Sequence, residues 1–119
     1  MSASHARSLV SQPRLRIGLV GGVERSEVQL MQVAAAAGYE LELHSGHMVG
    51  RRAQSLAAMI NRVDVVVILT DVNSHNAVLA ARRLAVSRGC RLILQRRCSP
   101  ARLGELLHSL EAETMRAAA

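Results

Sequence analysis

Residues 63–75, Val63-Asp-Val-Val-Val-Ile-Leu-Thr-Asp-Val-Asn-Ser-His75, decide the fold. Asp64 apart, the stretch Val63 to Thr70 is apolar on both faces of an extended strand, as at the centre of a parallel sheet. It ends in Thr70-Asp71, and Asn73, Ser74 and His75 follow before a helical segment. Polar groups just past a strand's carboxyl end lie where α/β proteins hold ligands.

Working outward, Leu15-Arg-Ile-Gly-Leu-Val20 is a short β-like run broken by Gly21-Gly22. The acidic start and Ala-rich body of Glu24 to Ala37 predict a helix, with Gly38 at its C′ position. Tyr39 to His44 alternates strictly, which predicts a strand with one solvated face near an edge of the sheet. Leu56, Met59, Ile60 and Val63 recur at helical spacing and give a helix over Arg51 to Arg62. A third helix is expected from Ser74 to Ser87, with Ala77, Ala81, Leu84 and Ala85 inward and Gly89 closing it. Arg91 to Gln95 is the fourth strand. Ser99-Pro100 starts a helix, N-cap then N1 proline, whose buried stripe is Leu103, Leu106, Leu107 and Leu110. The order β-α-β-α-β-α-β-α with right-handed crossovers predicts a three-layer α/β domain. Its four-stranded parallel sheet has the order 2-1-3-4, with helices on both faces and the reversal between strands one and three.

At 119 residues the chain is one domain. Residues 15–112 form the folded part, after a polar, Ser/Arg-rich tail at 1–14 and before an Ala-rich end, 113–119, expected to fray. With one Tyr and no Phe or Trp, Val, Leu, Ile, Met and Ala must fill the core in thin layers. Pairing of protomers across an apolar face, a homodimer, is the expected remedy. No window approaches the ~20 apolar residues that cross a bilayer, and Met1 to Pro13 has no signal-peptide core. The expected location is cytoplasmic, with no membrane partner. Cys90 and Cys98 flank a strand that holds its ends too far apart for a bridge, so free thiols are expected.

All fifteen basic residues are Arg. The absence of Lys excludes Schiff-base chemistry and a phosphate-loop lysine. The net charge of +6 fits a basic surface or contact with an anionic ligand or polymer. The arginines are scattered, however, and the stacking aromatics of single-strand binders are missing.

Val20-Gly-Gly22, His44-x-Gly46, Thr70-Asp71 with Ser74-His75, and Arg96 to Ser99 each follow a strand. Together, in register over Leu15 to Leu110, they resemble the bacterial DUF2325 family. The resemblance implies a small Rossmann-like domain and carries no established activity. This chain departs from the family pattern after the Ser-His helix start. The family usually shows Lys and often Cys there, whereas this chain has Arg82-Arg83 and Ala85-Val86, so no role resting on that Lys or Cys transfers.

The predicted topology brings the loops after the strands to one rim. Gly21, Gly22, Asp71, Asn73, Ser74 and His75 meet at the order reversal. His44, Gly46 and His47 flank them on one side, and Arg96, Arg97 and Ser99 on the other. Gly21-Gly22 fits a tight turn, or a close backbone approach that aims amides at an anion. The dinucleotide fingerprint is not met, since Ser26 stands where a third glycine would fall and His44 replaces the acidic end of strand two. Ser74 and His75 fit a helix cap with a loop contact, or donors to an anion at a helix start, completed by bidentate Arg96 or Arg97. His44, His47 and His75, with Asp71, fit a transition-metal or haem site as well as ordinary loop bonding. Cys98 fits packing at a strand end or a reactive thiol.

The leading expectation is a ligand-binding or sensory module. It would hold a small anionic ligand through Gly21, Gly22, His44, Asp71, Ser74, His75 and Arg97. The alternatives are a metal- or haem-binding protein using His44, His47 and His75, and a nucleic-acid-associated basic protein. No reaction or catalytic residue is assigned.

Overall fold

The computed structural model describes residues 15–21, 26–45, 51–71 and 75–118; the expected tail at 1–14 lies outside them. Strands and helices alternate: β1 (Arg16–Val20), α1 (Glu27–Ala36), β2 (Glu40–His44), α2 (Arg51–Arg62), β3 (Val65–Leu69), α3 (His75–Arg88), β4 (Arg91–Gln95) and α4 (Pro100–Ala118). The sheet has the order β2-β1-β3-β4, and every neighbouring pair is parallel. The predicted fold class, order and reversal between β1 and β3 are therefore observed.

β3 is buried at every position, as its unbroken apolar run requires. Its residues divide between two cores. Val65, Val67 and Leu69 join Ile17, Leu19 and Leu41 beneath α1 and α4. Val66 and Ile68 join Val20 beneath Leu56, Met59 and Ile60 of α2 and Ala81 and Ala85 of α3. A core without Phe or Trp closes here by close approach. A Cβ on Gly18 would lie 2.8 Å from Met59 Cε, so the missing side chain is what seats the methionine on the sheet. On α3 the small residues Ala77, Ala81 and Ala85 form the buried stripe, while Leu84 packs on the same core half-buried.

The predicted stop and start signals act locally. Gly38 and Gly89 end α1 and α3 at φ +88° and +71°, the left-handed region that suits glycine. Ser99 Oγ accepts the Arg102 N–H at 3.1 Å and caps α4. α4 continues to Ala118, tied back to β4 by Arg91 Nη1 on Glu113 Oε2 at 2.7 Å. Among the described residues, no helix is long and apolar enough to cross a membrane.

β2 is an edge, as its alternation predicts, but its polar face is partly covered. Arg62 of α2 grips Glu42 through Nε and Nη2 at 2.6–3.3 Å, and His44 Nε2 lies 3.0 Å from Ser55 Oγ. The polar flank of α2 shares that face with solvent, and Glu40 stays exposed.

Candidate functional site at the carboxyl rim of the sheet

Parallel register brings the strand ends to one rim. Val20 is opposite His44 on one side and Ile68 on the other, and Leu69 is opposite Gln95. Neighbouring strands lie ~4.8 Å apart, so two spacings, roughly 10 Å, separate the His44 backbone from that of Ile68. Asp71 and His75 follow β3 at the same rim. His44, Asp71, His75 and Arg97 all follow strand ends on this rim, but Arg97 contacts Asp71 whereas His44 contacts Ser55 of α2. Gly22, His47, Asn73 and Ser74 lie outside the described residues.

Beyond β3 and β4 the ladder continues into the loops. Thr70 donates its N–H to the Gln95 carbonyl at 2.8 Å, and Asp71 donates to the Arg96 carbonyl at 3.1 Å. These bonds hold the Asp71 side chain beside the Arg96-Arg97 turn. Arg96 Nε then meets Asp71 Oδ1 at 3.5 Å, and Arg97 Nε meets Oδ2 at 3.2 Å. Both arginine side chains are otherwise open to solvent, 85% and 84% exposed. The next residue, Cys98, turns inward and is buried in the α1–α4 core. Burial raises its thiol above the ordinary value, only partly opposed by the Arg102 guanidinium. Cys98 therefore anchors the loop as packing, and both cysteines are free thiols.

A cleft of about 770 Å³ opens here, lined by Asp71, Leu94, Gln95, Arg96, Arg97, Ser99 and Arg102. The lining carries three guanidinium groups and one carboxylate; Arg96 and Arg97 meet Asp71, while Arg102 pairs with Glu105 just outside the cleft at 3.2 Å. Arg96 and Arg97 each engage Asp71 through Nε; among the described residues nothing takes their terminal nitrogens. Such nitrogens are matched to carboxylate or phosphate oxygens. Arg102 went unread in the sequence. The signal for it was the Ser99-Pro100 cap, which sets Arg102 one turn into α4, on the side of Ser99.

The described cleft lies over β3 and β4, one strand across from the order reversal between β1 and β3. At that reversal, Gly21 donates its N–H to the His44 carbonyl at 2.8 Å, so this amide is engaged in the ladder. A Cβ on Gly21 would lie 2.8 Å from Leu69 Cδ1, so glycine there admits the Leu69 side chain. His75 begins α3 and is exposed. His44 is engaged with Ser55, and a metal bound at His44 Nε2 would have to displace that hydroxyl. Among the described residues, no three His, Cys, Asp or Glu side chains are grouped to hold a metal ion.

No curated protein and no solved structure matches the chain. Residues 16–110 match a family model described as an uncharacterized protein conserved in bacteria (DUF2325). That span runs from the first residue of β1 into α4, takes in the whole sheet and includes every residue lining the cleft, and on it the chain belongs to the DUF2325 family.

Proposed function

We propose that this chain is a binding module for a small anionic ligand, held at the carboxyl ends of its parallel strands between Asp71, Arg96, Arg97, Ser99 and Arg102. The observation that carries this reading is the pair of arginines converging on Asp71 in an open cleft with an excess of positive charge. Exposed ion pairs of this kind add little stability, so the folded state gains little from keeping them. Their geometry is better suited to recognition. Asp71 holds both guanidinium groups through Nε and leaves the outer nitrogens for a phosphate or carboxylate group. His75, exposed at the start of α3, is a further donor on the same rim. Two reduced thiols fit a cytoplasmic setting for such a module.

Thermal unfolding at low ionic strength tests the reading, with inorganic phosphate, adenosine monophosphate and citrate as probes. A ligand at ten times its Kd stabilises by about 1.4 kcal/mol, a Tm rise of several degrees. At least one probe should give that rise. The Arg96→Ala/Arg97→Ala double variant should keep the ligand-free Tm and lose the shift. The reading fails if no probe moves Tm, or if the double variant responds like the parent chain.

A further inference from the structure

Among the described residues, β4 has a neighbour on one side only. Arg91 donates its N–H to the Asp64 carbonyl at 3.2 Å, and the Gln95 carbonyl receives the Thr70 N–H at 2.8 Å. Residues 91, 93 and 95 therefore turn their backbone groups towards β3. Leu92 and Leu94, in alternation, turn theirs to the free side. Leu94 is 45% exposed, and the strand, Arg-Leu-Ile-Leu-Gln, carries no proline or lysine to blunt it. Edges with open ladders and apolar side chains need cover.

We infer that a second copy of this chain covers this edge, its β4 pairing antiparallel to the first about a two-fold axis at Ile93. In that register Leu92 lies opposite Leu94 of the second copy, and each such pair exchanges both N–H···O bonds. Ile93 meets itself, and Arg91 meets Gln95, so no like charges oppose one another. The axis also places the Arg91–Glu113 ion pair of one copy beside the Arg102–Glu105 pair of the other, so neither end brings an unpaired charge to the seam. The same operation at β2 would set Glu42 against Glu42, a repulsive pair directly across the ladder. β4 alone of the two edges is self-complementary.

The pairing joins two four-stranded sheets into one and acts on the cleft. A groove of about 260 Å³ between β4 and α4 shares Gln95 and Arg102 with the cleft and opens along the same edge. With the second copy in place, its Arg91 stands opposite Gln95 and forms a wall of the cleft that one protomer lacks.

Sedimentation equilibrium of the full chain tests this. The parent chain should be a reversible dimer in the micromolar range. Leu94→Lys, at a half-exposed position, should weaken association roughly tenfold or more, as expected for a charge set against an apolar partner. Val86→Lys on α3, 69% exposed, should leave association unchanged. A chain that stays monomeric into the high micromolar range overturns the inference. So does a dimer that survives Leu94→Lys, or one that Val86→Lys dissociates. Hydrogen exchange on the parent chain gives an answer that needs no variant. The Leu92 and Leu94 amides should exchange more slowly as protein concentration rises, while the outward amides of β2, at Leu41 and Leu43, should not. Equal behaviour at the two edges also overturns it.

Discussion

β2 and β4 close the same sheet on opposite sides, each with five residues, and they are finished in opposite ways. β2 alternates Glu40, Leu41, Glu42, Leu43 and His44, a pattern that reads as half solvated. The fold buries one of its faces and partly covers the other, leaving Glu40 exposed. Leu41 and Leu43 enter the α1–α4 core, while Arg62 and Ser55 of α2 take Glu42 and His44. β4 has three consecutive apolar residues, a pattern that reads as buried, yet Leu94 is half exposed and an open groove runs beside α4. The difference lies in where the helices sit. α4 packs on α1 and over the middle of the sheet, which leaves β4 less covered than its composition suggests. Polar alternation on β2 thus gives α2 a partial docking face, and apolar continuity on β4 leaves Leu94 at the surface.

The contrast predicts its largest energetic effect on the covered side. Leu41 is 7% exposed, in contact with the main core. Leu41→Ala should therefore cost about 2–5 kcal/mol, the usual range for a buried leucine truncated with incomplete collapse. Urea unfolding with an unchanged m-value would measure it. A loss below roughly 1 kcal/mol, within the range of surface substitutions and mild changes, would place β2 outside the core. The two edges would then be alike.

How much of this was legible in the sequence depended on the distance over which each signal acts. Gly38, Gly89 and Ser99-Pro100 declare themselves within a turn, and the structure uses each as a helix stop or start. The run through Val65 to Leu69 fixed the central strand because burial on both faces leaves only that place in a parallel sheet. The site was less legible. Arg62 and Glu42 are twenty positions apart, and Arg97 and Asp71 twenty-six. Such pairs depend on which helix leans over which strand, and no local periodicity encodes that. Reading the rim as one shared ligand edge required only the topology. That the described cleft opens over β4, with Arg102 in its wall, depends on the lean of α4.

A middling effect is expected where α4 begins, on the open side. Ser99 Oγ satisfies the Arg102 amide, and losing an N-cap typically costs about 1 kcal/mol. Ser99→Ala should lower stability by that amount and also loosen the segment that carries Arg97 and Arg102. The expected pattern is a modest fall in Tm with a larger proportional fall in the phosphate-induced shift. Ser99→Asp should restore the cap and the Tm, yet still weaken anion binding, because it sets a carboxylate in the cleft. If Ser99→Asp binds the anionic probe as well as the parent chain, the capped turn is not part of the site.

The smallest effect concerns the thiol behind the cleft. Burial raises the Cys98 pKa above its ordinary value, so the folded chain holds this proton more tightly than the unfolded one. The resulting stability is present in full below the unfolded thiol's pKa and is lost as pH rises through the folded value. Cys90, raised by burial and by Asp64, and Tyr39, raised by burial and by Glu111, add losses of the same sign. Cys98→Ala should therefore flatten, without abolishing, the decline in unfolding free energy between neutral pH and about pH 9.5. Alkylation gives the complementary readout. At mildly alkaline pH, Cys98 should react with iodoacetamide far more slowly in the folded chain than in urea, because the thiolate is disfavoured and the sulfur is 7% exposed with its residue. Equal rates in the two states would mean that the Arg96–Ser99 turn opens readily and delivers a nucleophile to the rim. The open edge would then carry reactivity as well as charge, and the contrast with β2 would rest on mobility rather than on cover.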